Sequence, residues 1–295
     1  MNTLYHFSGA GNDFVVIDSR EGDVSAFREV SRIQALCREF KTDGLMILGS
    51  GDSEVDFAME FYNPDGSGGM MCGNGGRCIV AFADYLGIRP AAVERTAEGV
   101  TAPPGVFLFR APDGLHTGEI LERLEDGLWE VRIKMIDVHG VTPILGGLFL
   151  NTGTRHFVKF VDDVEQVDID TEGKALRWDP AFAPVGTNVN FVHVAPDGLH
   201  VRTFEKGVEG ETLACGTGLT ASAIAAYQIS RLRPSGSARN DKEVPSGSAR
   251  NDSISYCLRA RRDSLAVDFT PGPDETFTNV YLTGPAQLIS VTPGD

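Results

Sequence analysis

Two cysteines stand in matched surroundings along the chain. Around Cys72 the sequence reads MMCGNGGRCIVAFADYLG, and around Cys215 it reads TLACGTGLTASAIAAYQI. Each is followed by Gly-x-Gly and then by an apolar run with helical spacing, which sets a sulfur at the mouth of a helix. A thiol placed there feels the positive end of the macrodipole and unpaired backbone N–H groups, both of which favour thiolate. The same N–H groups, of Gly73 and Asn74 in one copy and Gly216 and Thr217 in the other, make a site for a carboxylate. If one carboxylate is shared by two such helix ends, its α-carbon lies between two sulfurs. A thiolate can then take the α-proton from one face while a thiol delivers a proton to the other. The aimed N–H groups would also hold the negative charge that proton removal pushes onto the carboxylate. The chemistry is racemisation or epimerisation, with no cofactor and no metal.

Other uses of these residues are weaker. A buried cysteine is usually a small hydrophobe, a reading that suits Cys37, Cys78 and Cys257. No Cys-x-x-Cys pair, zinc-ligand spacing, GxxxxGK[ST] or GxGxxG pattern occurs, which argues against a redox dithiol, a structural zinc and a nucleotide site.

The elements that must carry the cysteines are mostly short strands bounded by Gly, Asp and Pro: Phe14 to Asp18, Val55 to Tyr62, Trp129 to Ile136, Asn188 to Val194, Ser264 to Phe269 and Asn279 to Leu282. Helical spacing is predicted over Val24 to Glu39, Gly75 to Leu86 and Gly216 to Ile229. The fold class is α+β, and the two Cys-Gly contexts suggest two copies of one device. The octapeptide PSGSARND occurs at Pro234 to Asp241 and again at Pro245 to Asp252. It is too polar to bury a core, so a flexible surface insertion is expected at about 233–253.

The chain has 295 residues, 42% of them hydrophobic, enough for two cored domains. A net charge of −15 disfavours nucleic acid and anionic membrane surfaces as partners. No stretch nears the roughly 18 apolar residues of a spanning helix, and the opening MNTLYHFSGAGNDFVVID has no export-signal pattern. With an odd number of cysteines, 5 in all, reduced thiols and a cytoplasmic location are expected.

At the residues that carry the chemistry the sequence resembles the diaminopimelate epimerases, nearly end to end. The matching segments are FSGAGNDF from Phe7, TDGLMIL from Thr42, FYNPDGSGGMMCGNGGRC from Phe61, GTRHFVKFV from Gly153, GTNVNF from Gly186 and FEKGVEGETLACGTG from Phe204. The resemblance implies two similar domains, each a curved mixed or antiparallel sheet wrapped around a central helix, with the active site in the cleft between them. It places them at 1–117 plus 279–295 and at 118–278. It implies conversion of LL-2,6-diaminopimelate to the meso isomer, with Cys72 and Cys215 as the acid/base pair and His156 and Glu205 in support. Asn12, Asn63, Gly73, Asn74, Asn188, Lys206, Gly216 and Thr217 fall on substrate-binding positions. The expected partner is a small-molecule amino acid, and a homodimer is compatible.

Three positions depart from the family pattern. Gly44 stands where many members have Gln, Thr154-Arg155 stands where Asn-Pro is common, and Lys206 replaces Arg. Lys206 keeps the charge but not the bidentate fork, so Arg155 and Lys206 together are expected to clamp the distal carboxylate. A two-cysteine proline or hydroxyproline racemase is the second enzyme reading, and a non-catalytic thiol switch is the reading from another class.

Overall fold

The computed structural model describes residues 2–124, 127–232, 248–250 and 253–294. The chain divides into two compact units, Met1–Lys134 with Thr283–Asp295, and Met135–Leu282.

In the first unit, backbone pairing closes on itself. Thr3–Gly9 pairs antiparallel with Asn12–Asp18, which runs parallel to Gly44–Ser50. Gly44–Ser50 is antiparallel to Phe57–Tyr62, which lies parallel to Phe107–Ala111. Gly114–Arg123 and Leu128–Lys134 follow antiparallel. The last strand, Thr276–Pro293, contributes residues 284–293 to this unit, pairing with both Leu128–Lys134 and Thr3–Gly9 and completing the ring. Closure leaves this ring of strands without a free edge.

Each parallel pair needs a crossover, and helices supply them. The first is α1 (Val30–Phe40), whose Ile33, Leu36 and Cys37 pack on Val15, Ile17, Leu45 and Ile47. The second is α2 (Gly73–Tyr85), buried from Gly73 to Asp84. With α1 and α2 covering them, Asn12–Asp18 and Gly44–Ser50 are buried on both faces, hence the unbroken apolar runs FVVI and LMIL. The helix predicted over Val24 to Glu39 is interrupted: Ser25–Arg28 is a 3-10 turn, and Glu29 adopts extended backbone before α1 begins.

The second unit repeats the order. Gly147–Asn151 is antiparallel to Arg155–Phe160, which is parallel to Asn188–Ala195. Asn188–Ala195 is antiparallel to Gly198–Glu205, which is parallel to Ser253–Arg259, itself antiparallel to Ser264–Pro271. Short helical turns including α3 (Lys174–Arg177) make the first crossover, and α4 (Gly216–Leu232) begins the second. Residues 276 and 277 of the last strand pair with Val138–His139. The antiparallel, parallel, antiparallel, parallel, antiparallel sequence is thus common to both units, with each cysteine at the start of the helix in the second crossover.

The two units divide at 134/135 and 282/283, where the sequence reading puts the divisions at 117/118 and 278/279. Gly114–Arg123 and Leu128–Lys134 thus belong to the first unit. Trp129 fixes them there: its ring lies 6.0 Å from that of Phe7, and its Nε1 donates to Asp84 of α2 at 3.0 Å. Most of the expected insertion, positions 233–247 and 251–252, lies outside the described residues. Ser248–Arg250, at the end of the second octapeptide, forms a short strand antiparallel to the start of Ser253–Arg259.

Candidate active site

In the first unit Cys72 is the N-cap of α2. Its backbone is extended, its carbonyl accepts from Gly76 N–H at 2.7 Å, and its exposed sulfur accepts from Gly75 N–H at 3.2 Å. The first N–H groups of a helix have no intrahelical acceptor, so those of Gly73 and Asn74 face the same end as the sulfur.

Beside it runs a directed set of amides. Arg77, fully buried, donates through Nη2 to Asn74 Oδ1 at 3.0 Å and through Nη1 to Gly73 O at 3.3 Å. Asn74 is thereby oriented with Nδ2 toward Asn12 Oδ1, which takes up the Asn12 amide oxygen. Asn12 is held by the tight turn between the first two strands, where Ala10 and Gly11 take φ of 56° and 89° and Gly9 pairs with Asn12. Gly9 has to be glycine because a Cβ there would lie 2.8 Å from Asn74 O and from Cys78 Sγ. Asn63 donates through Nδ2 to Ser67 Oγ at 3.0 Å and so closes its own turn. At Gly44 a Cβ would meet Tyr62 O at 2.8 Å and the Phe61 ring at 3.1 Å, so any larger residue there would force its neighbours to shift.

In the second unit Cys215 stands in the same relation to α4, its carbonyl accepting from Leu219 N–H at 2.9 Å. Its sulfur is buried and lies 3.4 Å from Thr217 Oγ1. His156 is fully buried behind it, with Nε2 2.9 Å from both Thr154 Oγ1 and Thr217 Oγ1. Burial pushes the imidazole pKa down to about 3, against an opposing hydrogen bond from Asn190, so His156 is neutral. Asn188 ties two segments together: Nδ2 donates to Arg155 O at 2.9 Å and Oδ1 accepts from Lys206 N–H at 2.8 Å. Glu205 ends its strand half-buried and, by strand alternation, on the face of Thr203. Lys206 is exposed.

The expected Arg155 clamp is not what the geometry gives. Adjacent strand residues face opposite ways, and His156 faces Asn190 and α4. Arg155 therefore turns to the other side, its guanidinium 5.2 Å above the Phe149 ring that packs with Phe157 and Phe182. Thr154, not Arg155, meets His156. Asn190, Thr203 and Arg77 are polar neighbours of the cysteines that the motifs did not single out. Their signal was a polar residue inside an otherwise buried apolar segment, as in NVNFV and GRCIVAF.

The remaining cysteines are placed for packing or surface. Burial pushes the thiols of Cys37 and Cys78 up, and Cys257 is exposed. Among the described residues no cluster of His, Cys, Asp and Glu has the spacing of a metal site, and no helix is long and apolar enough to cross a membrane.

The fold defines the class first. A phenazine biosynthesis protein of the PhzF family from Bacillus anthracis shares it with a TM-score of 0.66 at 11% identity, covering 99% of this chain and 98% of that one. So does a hydroxyproline epimerase from Agrobacterium vitis, solved with bound trans-4-OH-L-proline, with a TM-score of 0.59 at 14% identity over 99% and 91% of the two chains. Within that class the sequence is decisive. The family model described as diaminopimelate epimerase matches residues 5–101 and 148–248. A diaminopimelate epimerase from Flavobacterium psychrophilum is 35% identical over 293 residues, 98% of each chain, and one from Aquifex aeolicus is 40% identical over 246 residues, 76% of this chain and 81% of that one. This chain belongs to the diaminopimelate epimerase family.

Proposed function

We propose that the protein converts LL-2,6-diaminopimelate to the meso isomer by a cofactor-independent two-base reaction, with Cys72 and Cys215 acting on the same α-carbon. The observation that carries this reading is the equivalence of the two helix starts: each cysteine carbonyl accepts the first helical hydrogen bond, at 2.7 Å for Cys72 and 2.9 Å for Cys215. Each sulfur then stands beside N–H groups suited to a carboxylate. One cysteine, as thiolate, removes the α-proton and becomes a thiol; the other, as thiol, gives its proton to the opposite face and becomes the thiolate. Charge is conserved at every stage, and the reversed pair serves the reverse reaction. Developing charge on the carboxylate is stabilised by Gly73, Asn74, Gly216 and Thr217 N–H and by both helix dipoles. Asn12, whose amide oxygen is taken by Asn74, and Lys206, an exposed cation, serve the polar ends of the substrate. Asn63 and Asn188 act mainly by fixing the backbone beside it. An odd number of cysteines, 5 in all, supports a cytoplasmic setting that keeps thiols reduced.

The test is incubation of the reduced protein with LL-diaminopimelate, and separately with L-proline, in deuterated water. Deuterium entering the α-position of diaminopimelate but not of proline, and lost in Cys72→Ser and Cys215→Ser, is the expected result. Exchange with proline alone would replace this reading with that of a proline racemase. Exchange with neither would leave the thiol switch.

A further inference from the structure

Behind Cys215 runs a chain of hydrogen bonds whose direction is settled by chemistry at its far end. Thr203 lies directly opposite Asn190 in the antiparallel pair, and its Oγ1 donates to Asn190 Oδ1 at 3.0 Å. Phe157 O, which can only accept, lies 3.2 Å from Asn190 Nδ2. The Phe157 carbonyl fixes the amide with its nitrogen toward Phe157, and Thr203, whose hydroxyl can act either way, then donates to the oxygen. The nitrogen therefore donates to His156 Nδ1, 3.0 Å away. A neutral imidazole that accepts at Nδ1 carries its proton on Nε2.

From Nε2 the direction continues. The Nε2–H group has Thr154 Oγ1 and Thr217 Oγ1 in reach, each at 2.9 Å. Thr154 Oγ1 also accepts from Asn188 Nδ2 at 3.3 Å, so its own proton is available to Thr217 Oγ1, 3.2 Å away. Thr217 thus receives hydrogen bonds from the histidine side, and the arrangement that gives each of these protons an acceptor sends the Thr217 hydroxyl proton to Cys215 Sγ at 3.4 Å. Asn190, His156 and Thr203 are buried, which makes an unmatched donor or acceptor costly at that end of the chain.

Resting on the epimerase reading above, we propose that Thr203 and Asn190 are positioning residues for Cys215: they lock His156 as the neutral Nε2–H tautomer, so that His156 and Thr217 donate toward the sulfur and His156 is not the base that deprotonates it. The chain then stabilises the Cys215 thiolate by donation in the direction of the reaction where Cys215 is the base. It involves no covalent step and no net proton transfer away from the cysteine pair.

Two measurements test this together. In 15N-labelled protein the His156 ring, assigned by its loss in His156→Asn, should show an unprotonated Nδ1 and a protonated Nε2. Thr203→Val, close in shape but without the donor, should mix the tautomers and lower kcat roughly tenfold while KM changes less than about twofold, the scale of one lost hydrogen bond to a charged atom. Thr203→Ser should restore both the spectrum and most of the rate. A protonated Nδ1 or an imidazolium in the unmodified protein overturns the proposal, as does an unchanged kcat in Thr203→Val. If the unmodified protein does not epimerise diaminopimelate, the functional reading fails, and the histidine spectrum alone still decides the tautomer.

Discussion

Gly218 sits so close to Asn190 that a Cβ built on it would lie 2.4 Å from Asn190 Oδ1, and 3.3 Å from both Cys215 Cβ and His156 Cε1. The last residue of the Cys-Gly-x-Gly pattern is therefore fixed by packing of the first turn of α4 against buried polar side chains. Gly218→Ala should lower stability by about 1–3 kcal/mol, the range for overpacking, and should cut turnover because Cys215 moves with the turn. Gly210→Ala, where a Cβ meets nothing within 4 Å, is the control. Urea denaturation of both variants checks this; equal midpoints would contradict it.

Five cysteines should react in a definite order with iodoacetamide under native conditions. Cys72, exposed and accepting an N–H bond from Gly75, should label first and with loss of activity. Cys37 and Cys78, held as thiols by burial, should label only after unfolding. Peptide mapping by mass spectrometry reads the order, and early labelling of Cys78 would refute it.

Acid should destabilise the protein through His156. Its folded pKa, about 3, lies below the ordinary value of 6.5. Between those values the unfolded chain binds a proton that the native state does not, so stability falls as pH drops below 6.5, by up to about 1.4 kcal/mol per unit. The difference in unfolding free energy between the native sequence and His156→Asn should therefore shrink on going from neutral pH to pH 5. A constant difference would mean that His156 titrates alike in the folded and unfolded chain, against the depressed value.

Substrate affinity should separate Lys206 from Arg155. Arg155 stacks on Phe149 away from His156, so Arg155→Ala should leave KM for diaminopimelate within about twofold. Lys206→Ala should raise KM roughly tenfold, the worth of a charge-assisted bond. A large KM rise in Arg155→Ala would restore the two-cation clamp.

The sequence made some features legible because their cause is local. Cys72 and Cys215 sit at helix starts because the Gly-x-Gly step and the apolar run that follows dictate it. The strand Asn188–Ala195 follows from its apolar run. What it did not reveal depends on partners distant in the chain. The break at Glu29 reflects packing of Val24 and Phe27 into the α1 core. The assignment of Leu128–Lys134 to the first unit depends on Trp129 meeting Phe7 and Asp84. Which face Arg155 takes is a matter of strand register, which a motif does not record. Asn190 and Thr203 look like ordinary strand residues until the register sets them opposite each other.

The central claim is that two different sulfurs handle the proton on opposite faces of one carbon. Early in a reaction of LL-diaminopimelate in deuterated water, the meso product should carry deuterium at the inverted carbon while recovered LL substrate stays unlabelled, because the sulfur that took the proton is the one that returns it. Deuterium appearing equally in recovered substrate and product, or full turnover by either Cys72→Ala or Cys215→Ala, would contradict the two-cysteine account.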